Sequence, residues 1–314
     1  MTEMLRIVAR FAITLFVASI VIFVMLRVIP GDPAEIALGV TATPELLAAA
    51  RESLGLDQPL FTQYFAWIGA LLTGDFGTSL TNKLDITPLV IDRLQVSLIL
   101  VGVSMVLALA AAIPLGTWAA VRHQRFDGAL ITASSQFGIA IPSFLAGILL
   151  VSAFAVHLRW LPANGWVPPS YSIKEFLARL ILPAIALAAV QGAMMTRYVR
   201  ASVLEILHED FMRTARATGL SRAAALIRQG LRNAAIPVIT VTGVQMAALV
   251  VGAVVVERVF TIPGLGTMLL DAVVTRDLPT VQTVVMVLVF LTLAANLIVD
   301  LIAAVVDPRI GKEA

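Results

Sequence analysis

The stretch E-I-L-H-E-D-F-M-R-T-A-R-A-T-G-L-S-R-A-A-A-L-I-R-Q-G-L-R-N-A-A-I-P, residues 205–237, sets an arginine-rich polar island between two long apolar runs. Leu204, Leu207, Phe211 and Ala215 recur at offsets of 0, 3, 7 and 11, the narrow apolar face of a surface helix. Gly219 suits a C-terminal cap and Ser221 can N-cap a following helix, so two short helices are predicted. Small residues close the first of them: Thr214, Ala215, Ala217, Thr218 and Gly219 permit close backbone approach by a partner, a docking knob. The same residues also suit a basic juxtamembrane helix drawn to anionic lipid, with Arg213 and Arg216 following orientation rules.

The runs on either side, 179–204 and 235–256, are long and apolar enough to cross a membrane, which takes roughly 20 residues at about 1.5 Å each. Four more segments pass the same test: 9–29, 96–121, 129–158 and 281–305. The expected fold is therefore an all-α integral membrane protein of six transmembrane helices. Bulk composition agrees, because 59% of residues are hydrophobic and 13% charged, against about 25% charged in soluble domains. Arg6 and Arg10 precede the apolar run from Phe11 to Ile29 much as in a secretory signal. That run is longer than a signal core and lacks a clear cleavage site, so it reads as a retained span.

Six crossings put both termini on one side. Thirteen of the 22 Lys and Arg fall on that side, seven of them between Arg197 and Arg232, whereas most acids lie opposite. Positive charge marks the cytoplasmic face, so the termini and the 205–237 segment are predicted to be cytoplasmic. The net charge of +2 does not describe a nucleic-acid surface.

The long external segment from Pro30 to Gln95 looks ordered. In T-P-E-L-L-A-A-A-R-E-S-L-G, Thr43 can N-cap, Pro44 suits the first helical position and Gly55 can end the helix. Phe61, Tyr64, Phe65, Ile68 and Leu72 then form an apolar stripe at helical spacing, either a lid over a pore entrance or an interfacial helix resting on lipid headgroups. The expected division is 1–95, a span plus this external helical region, and 96–314, a core of five spans with the loop 205–234.

Polar groups inside spans are the candidates for a transport pathway or gate. Gln136, Ser143, Gln191, Thr240 and Gln245 lie within spans, where lipid exposure is unfavourable, although each can equally bond a neighbouring helix. Asp300, with Asn296 four residues earlier on the same face, is the clearest intramembrane ionisable group, for which a structural ion pair is the simpler reading. Glu257 and the Pro263, Gly264, Gly266 segment lie at the external end of the fifth span. Pro114, Pro142, Pro183 and Pro237 are expected to kink or terminate helices.

Several chemistries lack their residues. There is no cysteine, and His123, His157 and His208 are scattered without metal-ligand spacing, so no bound metal or cofactor is expected. A nucleophile elbow is absent, which leaves an intramembrane hydrolase without support. An ion-coupled secondary carrier would need acids at mid-membrane and often a repeat of its spans, and neither stands out. No P-loop can exist, because the three lysines, Lys83, Lys174 and Lys312, are followed by Leu, Glu and Glu.

R-T-A-R-A-T-G-L followed by L-R-N-A-A-I-P resembles the coupling-loop signature of ABC-importer permeases in its peptide/nickel-class form. Arg213, Thr214 and Ala215 stand where the general signature has E-A-A, a departure that favours the peptide class. Further stretches are similar to dipeptide and oligopeptide permease B subunits: L-R-V-I-P-G-D-P at 26–33, L-G-L-D-Q-P-L at 54–60, L-L-T-G-D-F-G-T-S at 71–79, I-P-S-F-L-A-G at 141–147, W-L-P-A-N-G-W at 160–166, V-E-R-V-F-T-I-P-G-L-G at 256–266, and N-L-I-V-D to D-P-R at 296–309. The resemblance implies a type I importer permease in a bacterial inner membrane, itself non-catalytic, importing peptides or similar solutes. It implies a second permease subunit of C type, two ATPases carrying ATP and Mg2+, and an external substrate-binding protein. It makes Phe211, Arg213, Thr214, Ala215, Arg216, Ala217, Thr218 and Gly219 the ATPase-coupling residues, and the 256–266 stretch a re-entrant element beside the substrate entrance. Nickel chelates, glutathione and haem are alternative substrates of the same architecture.

Overall fold

The structure is a computed structural model, and it describes residues 2–28, 33–38, 43–53 and 55–306. Within these the chain is helical, with a single isolated β-bridge between Thr78 and Asp85 and no sheet. The motif residues Pro30 to Asp32 and 307–309, and the cations Arg309 and Lys312, lie outside the described residues.

Five helices have the length and apolarity to cross a membrane: α1 (Thr2–Val28), α5 (Thr87–Val121), α8 (Ile173–His208), α11 (Leu231–Val259) and α13 (Leu278–Val306). The sixth expected span, 129–158, is not one helix. It is α6 (Phe126–Ala140) and α7 (Ser143–Leu150, continuing as a π-helical stretch Val151–His157), and these meet at 100°. The bend sits at Pro142: the residue before a proline is pushed out of the helical region, and Ile141 is extended at φ −90°, ψ 120°. Counted as one bent crossing, the pair brings the number of spans to six. Pro114, Pro183 and Pro237 instead lie inside continuous helices.

Between α1 and α5 come α2 (Pro33–Leu38), α3 (Pro44–Ser53) and α4 (Leu60–Thr73). The α3 boundaries follow their sequence cues. The Leu46 N–H donates to Thr43 Oγ1 at 3.3 Å, and past the C-terminus Gly55, at φ +64°, lets its own N–H and that of Leu56 reach the carbonyls of Glu52 and Arg51.

The chain forms two compact units, and α1, α5 and α13 each run from one into the other. In the unit of residues 1–8, 98–262 and 292–314, α8 is the central element, packed on α11, α6 and α7. Small residues allow this. A Cβ on Gly192 of α8 would come within 3.4 Å of the Ala108 carbonyl oxygen of α5, and one on Gly116 of α5 within 2.7 Å of the Thr196 carbonyl oxygen, so the backbones approach as membrane helices do through small side chains. In the unit of residues 9–97 and 263–291, Val90 of α5, Val284 of α13 and Leu265 of α12 (Leu265–Val274) form an apolar centre.

Candidate functional site

The predicted cytoplasmic connection is built differently from its sequence pattern in two respects. Helix α8 runs to His208, Glu209 adopts an extended conformation at φ −67°, ψ 148°, and a separate helix α9 (Asp210–Ala217) begins. The Leu204, Leu207, Phe211, Ala215 stripe thus straddles a break, although all four still pack on one apolar cluster. The second short helix, unlike the first, is not separate: α10 (Arg222–Ala225) passes through a π-helical stretch, Leu226–Gly230, directly into α11. Its start is as predicted, with Ser221 Oγ accepting from the Ala224 N–H at 3.2 Å.

Helix α9 is seated by Met212 and Ala215, both buried against Val199 and Val203 of α8, Ala120 of α5, and Ala225, Leu226 and Ala234. Phe211 is half-buried at the edge of this cluster. Arg213, Thr214, Arg216, Ala217, Thr218 and Gly219 face outward. Ala215 does not: at 4% exposure it belongs to the seat and not to the presented surface. The helix ends on Gly219 at φ +93°, whose N–H and that of Leu220 reach the carbonyls of Arg216 and Ala215. Ser202 Oγ donates to the Ala234 carbonyl at 2.8 Å and joins α8 to α11 just above the cluster.

Among the candidate pathway residues, two meet. Gln191 Nε2 donates to Gln245 Oε1 at 2.9 Å, a buried amide pair between α8 and α11. Ser143, the first residue of α7, lies 3.6 Å from where a Cβ on Gly252 of α11 would be. Glu257 is buried at 1% in the last turns of α11, and Asp300 is half-buried on α13. Gln136 of α6 and Thr240 of α11 are exposed. Asn296 faces α11, its Oδ1 being 3.4 Å from the Cβ position of Gly243.

In the other unit, Asp277 at the α12–α13 junction is a buried carboxylate that accepts from Ser79 Oγ, the Leu80 N–H (3.0 Å), Thr81 Oγ1 (3.1 Å) and Thr280 Oγ1 (2.8 Å). It pins the connection between α4 and α5 and also caps α13, whose Val281 N–H reaches the Asp277 carbonyl. With Thr81, Asn82, Arg93 and Asp271 it lines a recess of about 320 Å³. At the end of the same connection, the Thr87 N–H donates to Asp85 Oδ1 at 2.8 Å, and this bond holds the Asp85 carboxyl below its usual range. The Pro263-Gly264 turn leads into α12, a short apolar helix whose Leu265 N–H donates to Ser97 Oγ at 2.8 Å.

Residues 112–312 match the family described as binding-protein-dependent transport system inner membrane component, and residues 1–101 match the N-terminal region of such membrane components. The chain is an ABC-importer permease of the peptide/nickel class. This permease is 37% identical to a probable peptide ABC transporter permease protein, y4tP, of Sinorhizobium fredii, over 97% of each chain. It is 38% identical to the glutathione transport system permease protein GsiC of Escherichia coli K12, over 95% of this chain and 94% of that one. Its fold is shared by a chain from a crystal structure of an amino acid ABC transporter with histidines, at a TM-score of 0.52 and 16% identity over 69% of this chain and 94% of the other.

The permease is a non-catalytic, multi-spanning membrane component, and among its described residues no cluster of His, Asp or Glu is placed to hold a metal ion. Three contributors to its sites escaped sequence reading. Met212 lies one residue from the predicted stripe, and Ser202 carries no motif. Asp277 draws on partners as far as 198 residues away in the chain.

Proposed function

We propose that this chain forms half of the translocation pathway of an importer for di- or oligopeptides or solutes of similar size. A C-type permease subunit supplies the other half, two ATPases bind the cytoplasmic face, and an external protein delivers the substrate. Both termini lie in the cytoplasm of a bacterial cell bounded by the inner membrane that holds the chain. The observation that carries this reading is α9, a basic helix whose underside is fastened to the ends of α5, α8 and α11 while Arg213, Thr214, Arg216, Ala217, Thr218 and Gly219 stay exposed. A push delivered to that surface by ATP-driven closure reaches three spans at once through Met212 and Ala215. Gln191, Gln245 and Glu257 are buried within the bundle, whereas Gln136 and Thr240 are exposed and Ser143 and Asp300 half-buried, and these four are the candidates to face the conduit.

A peptide-sized substrate is supported by the similarity to y4tP and GsiC, since glutathione is itself a small peptide. Nickel chelates and haem are the competing cargoes, and an ion-coupled carrier is the competing mechanism.

The absence of cysteine gives a clean background for crosslinking. Single cysteines at Thr214 and Thr218 should crosslink to the ATPase in the assembled transporter, whereas Ala215→Cys, being buried, should not. Failure of both exposed positions in an active complex rejects the docking. Calorimetry of the cognate binding protein with dipeptides, glutathione and nickel chelates separates the cargoes. Accumulation of solute by the permease alone in ATP-free liposomes would overturn the whole scheme.

A further inference from the structure

Helix α4 differs from its neighbours in a way that its place in a nominally external segment does not explain. Residues 58–74 carry no charge at all, whereas α3 has Glu45, Arg51 and Glu52 within ten residues. A helix lying on headgroups needs a polar or charged face turned to water. Here Leu60, Phe61, Phe65 and Leu72 are 60%, 79%, 64% and 83% exposed, and the polar residues of the helix are uncharged: Gln63 Nε2 donates to the Leu56 and Gln58 carbonyls and Thr73 Oγ1 to the Gly69 and Ala70 carbonyls, which leaves Thr62 as a lone exposed hydroxyl.

Packing on α1 fixes the depth. Tyr64 and Ser19 of α1 share a buried hydroxyl–hydroxyl hydrogen bond of 2.7 Å, and Phe23 of α1 meets Tyr64 edge-on at 5.5 Å and Trp67 stacked at 6.1 Å. Ser19 lies eight residues inside Arg27, the charged end of the first span, so the contact is about 12 Å into it at 1.5 Å per residue. Half of the hydrocarbon core is roughly 15 Å. Where no water reaches, a hydroxyl must find a protein partner, and Ser19 and Tyr64 find each other. The exposed side chains of α4 also continue the surface of α1, on which Ile13, Phe16, Val17, Val21 and Val24 are exposed and, on a membrane span, meet lipid.

We infer that α4 is a membrane-embedded half-span, sunk among the acyl chains of one leaflet beside α1, with Phe61, Phe65 and Leu72 against lipid. Its fourteen residues give about 21 Å, too short to cross the core and long enough to lie tilted within half of it. The ends fit a helix that enters and leaves the same face. Asp57 and Asp75 bracket the uncharged stretch, and Gly74 at φ +82° turns the chain sharply, with the Asp75 N–H reaching the Ala70 carbonyl at 2.9 Å.

The test uses the complete transporter in proteoliposomes, with an environment-sensitive fluorophore on single cysteines at Phe61, Phe65 or Leu72, and at Tyr171, which is 90% exposed, as the aqueous reference. The expected result is blue-shifted emission at the α4 positions, stronger quenching by acyl-chain nitroxides than by headgroup nitroxides, and slow reaction with a water-soluble maleimide. Headgroup quenching equal to or above acyl quenching at all three positions overturns the proposal in favour of a surface helix. Absence of lipid quenching together with crosslinking to the second permease subunit overturns it in favour of a protein neighbour. Transport is not the readout, so the outcome is independent of the cargo and of ATPase docking.

Discussion

Two connections between helices are held in opposite ways. The one around α9 is seated by apolar burial: Met212 and Ala215 are inside, and its one ion pair, Arg213 with Asp210, is exposed on both sides. The one between α4 and α5 is held by hydrogen bonds: the buried carboxylate of Asp277 collects three side-chain hydroxyls and a backbone N–H, and Thr283 Oγ1 of α13 donates to the Phe76 carbonyl at 3.0 Å. Apolar contacts are non-directional and tolerate small re-packing, so the first connection can move with the helices it sits on. Directional hydrogen bonds fix one geometry, and breaking them strands buried donors. The seat of α9, the surface proposed to receive force, and the anchor of the α4–α5 connection accordingly use different chemistry.

The largest expected effect comes from the carboxylate. Asp277→Ala strands the buried Ser79, Leu80 and Thr280, while the exposed Thr81 turns to water, and at roughly 1–3 kcal/mol for each unpaired buried donor, softened by hydroxyl rotation, the loss should be on the order of 4 kcal/mol. Thermal unfolding of the purified protein reads it. Trypsin cleavage after Lys83, exposed in the same connection at φ +60°, should accelerate. Asp277→Asn keeps an acceptor for Leu80 and should cost less. Unchanged cleavage in Asp277→Ala would mean that the Thr283 bond to Phe76 and the packing of Phe76 hold the connection without the carboxylate.

Met212→Ala tests the apolar seat. Truncating a buried methionine costs about 2–5 kcal/mol, and because α9 is a short surface helix that can settle into the space left, we expect about 2 kcal/mol. Hydrogen exchange in residues 210–217 should rise while that of the α12–α13 junction stays as it was. If both regions loosen together, the two connections are not independently held and the comparison fails.

What the sequence disclosed follows from how local each cause is. A membrane span is a local property of composition, so α1, α5, α8, α11 and α13 were legible. Caps are local too, and Thr43, Gly55, Gly219 and Ser221 all act where their residue types imply. The bend at Pro142 was not legible as such, since Pro114, Pro183 and Pro237 sit in helices that continue, and the four prolines are told apart by packing around them. Met212 was missed because the extended Glu209 resets the helical phase, which a single periodic stripe across 204–215 cannot register. The Gln191–Gln245 pair was visible only as two polar residues in two spans, their meeting being a matter of how α8 and α11 cross. The proposed coupling and pathway roles rest on residue types alone, because the surfaces that would define them would belong to other subunits.

A smaller effect isolates the backbone. A Cβ on Gly219 would meet nothing within 4 Å, so Gly219→Ala adds no clash and its cost is that of a left-handed conformation, roughly 1 kcal/mol. Gly219→Asn should cost less, since asparagine visits that region more readily. Fraying of the α9 C-terminus by hydrogen exchange, with Met212 still protected, would show the cap and the seat to be separable. Joint loss would make the cap a condition of the seat.

The smallest effect sharpens the contrast most, because it lies between the two extremes. The Gln191–Gln245 bond is directional like the Asp277 cluster, yet uncharged and set between spans like the α9 seat. Helix-to-helix hydrogen bonds in a membrane are worth about 0.6 kcal/mol on average, since separated helices find substitute partners. Replacing either glutamine with leucine should therefore lower stability slightly, replacing both should recover part of the loss, and the coupling from a double-mutant cycle should be near that value. A coupling of several times this size would place the amide pair with Asp277 as a fixed point, so that α8 and α11 could separate during transport only by breaking a strong bond. A coupling near zero would place it with the α9 seat, leaving α8 and α11 held together at this level by packing alone, without a directional bond to fix their register.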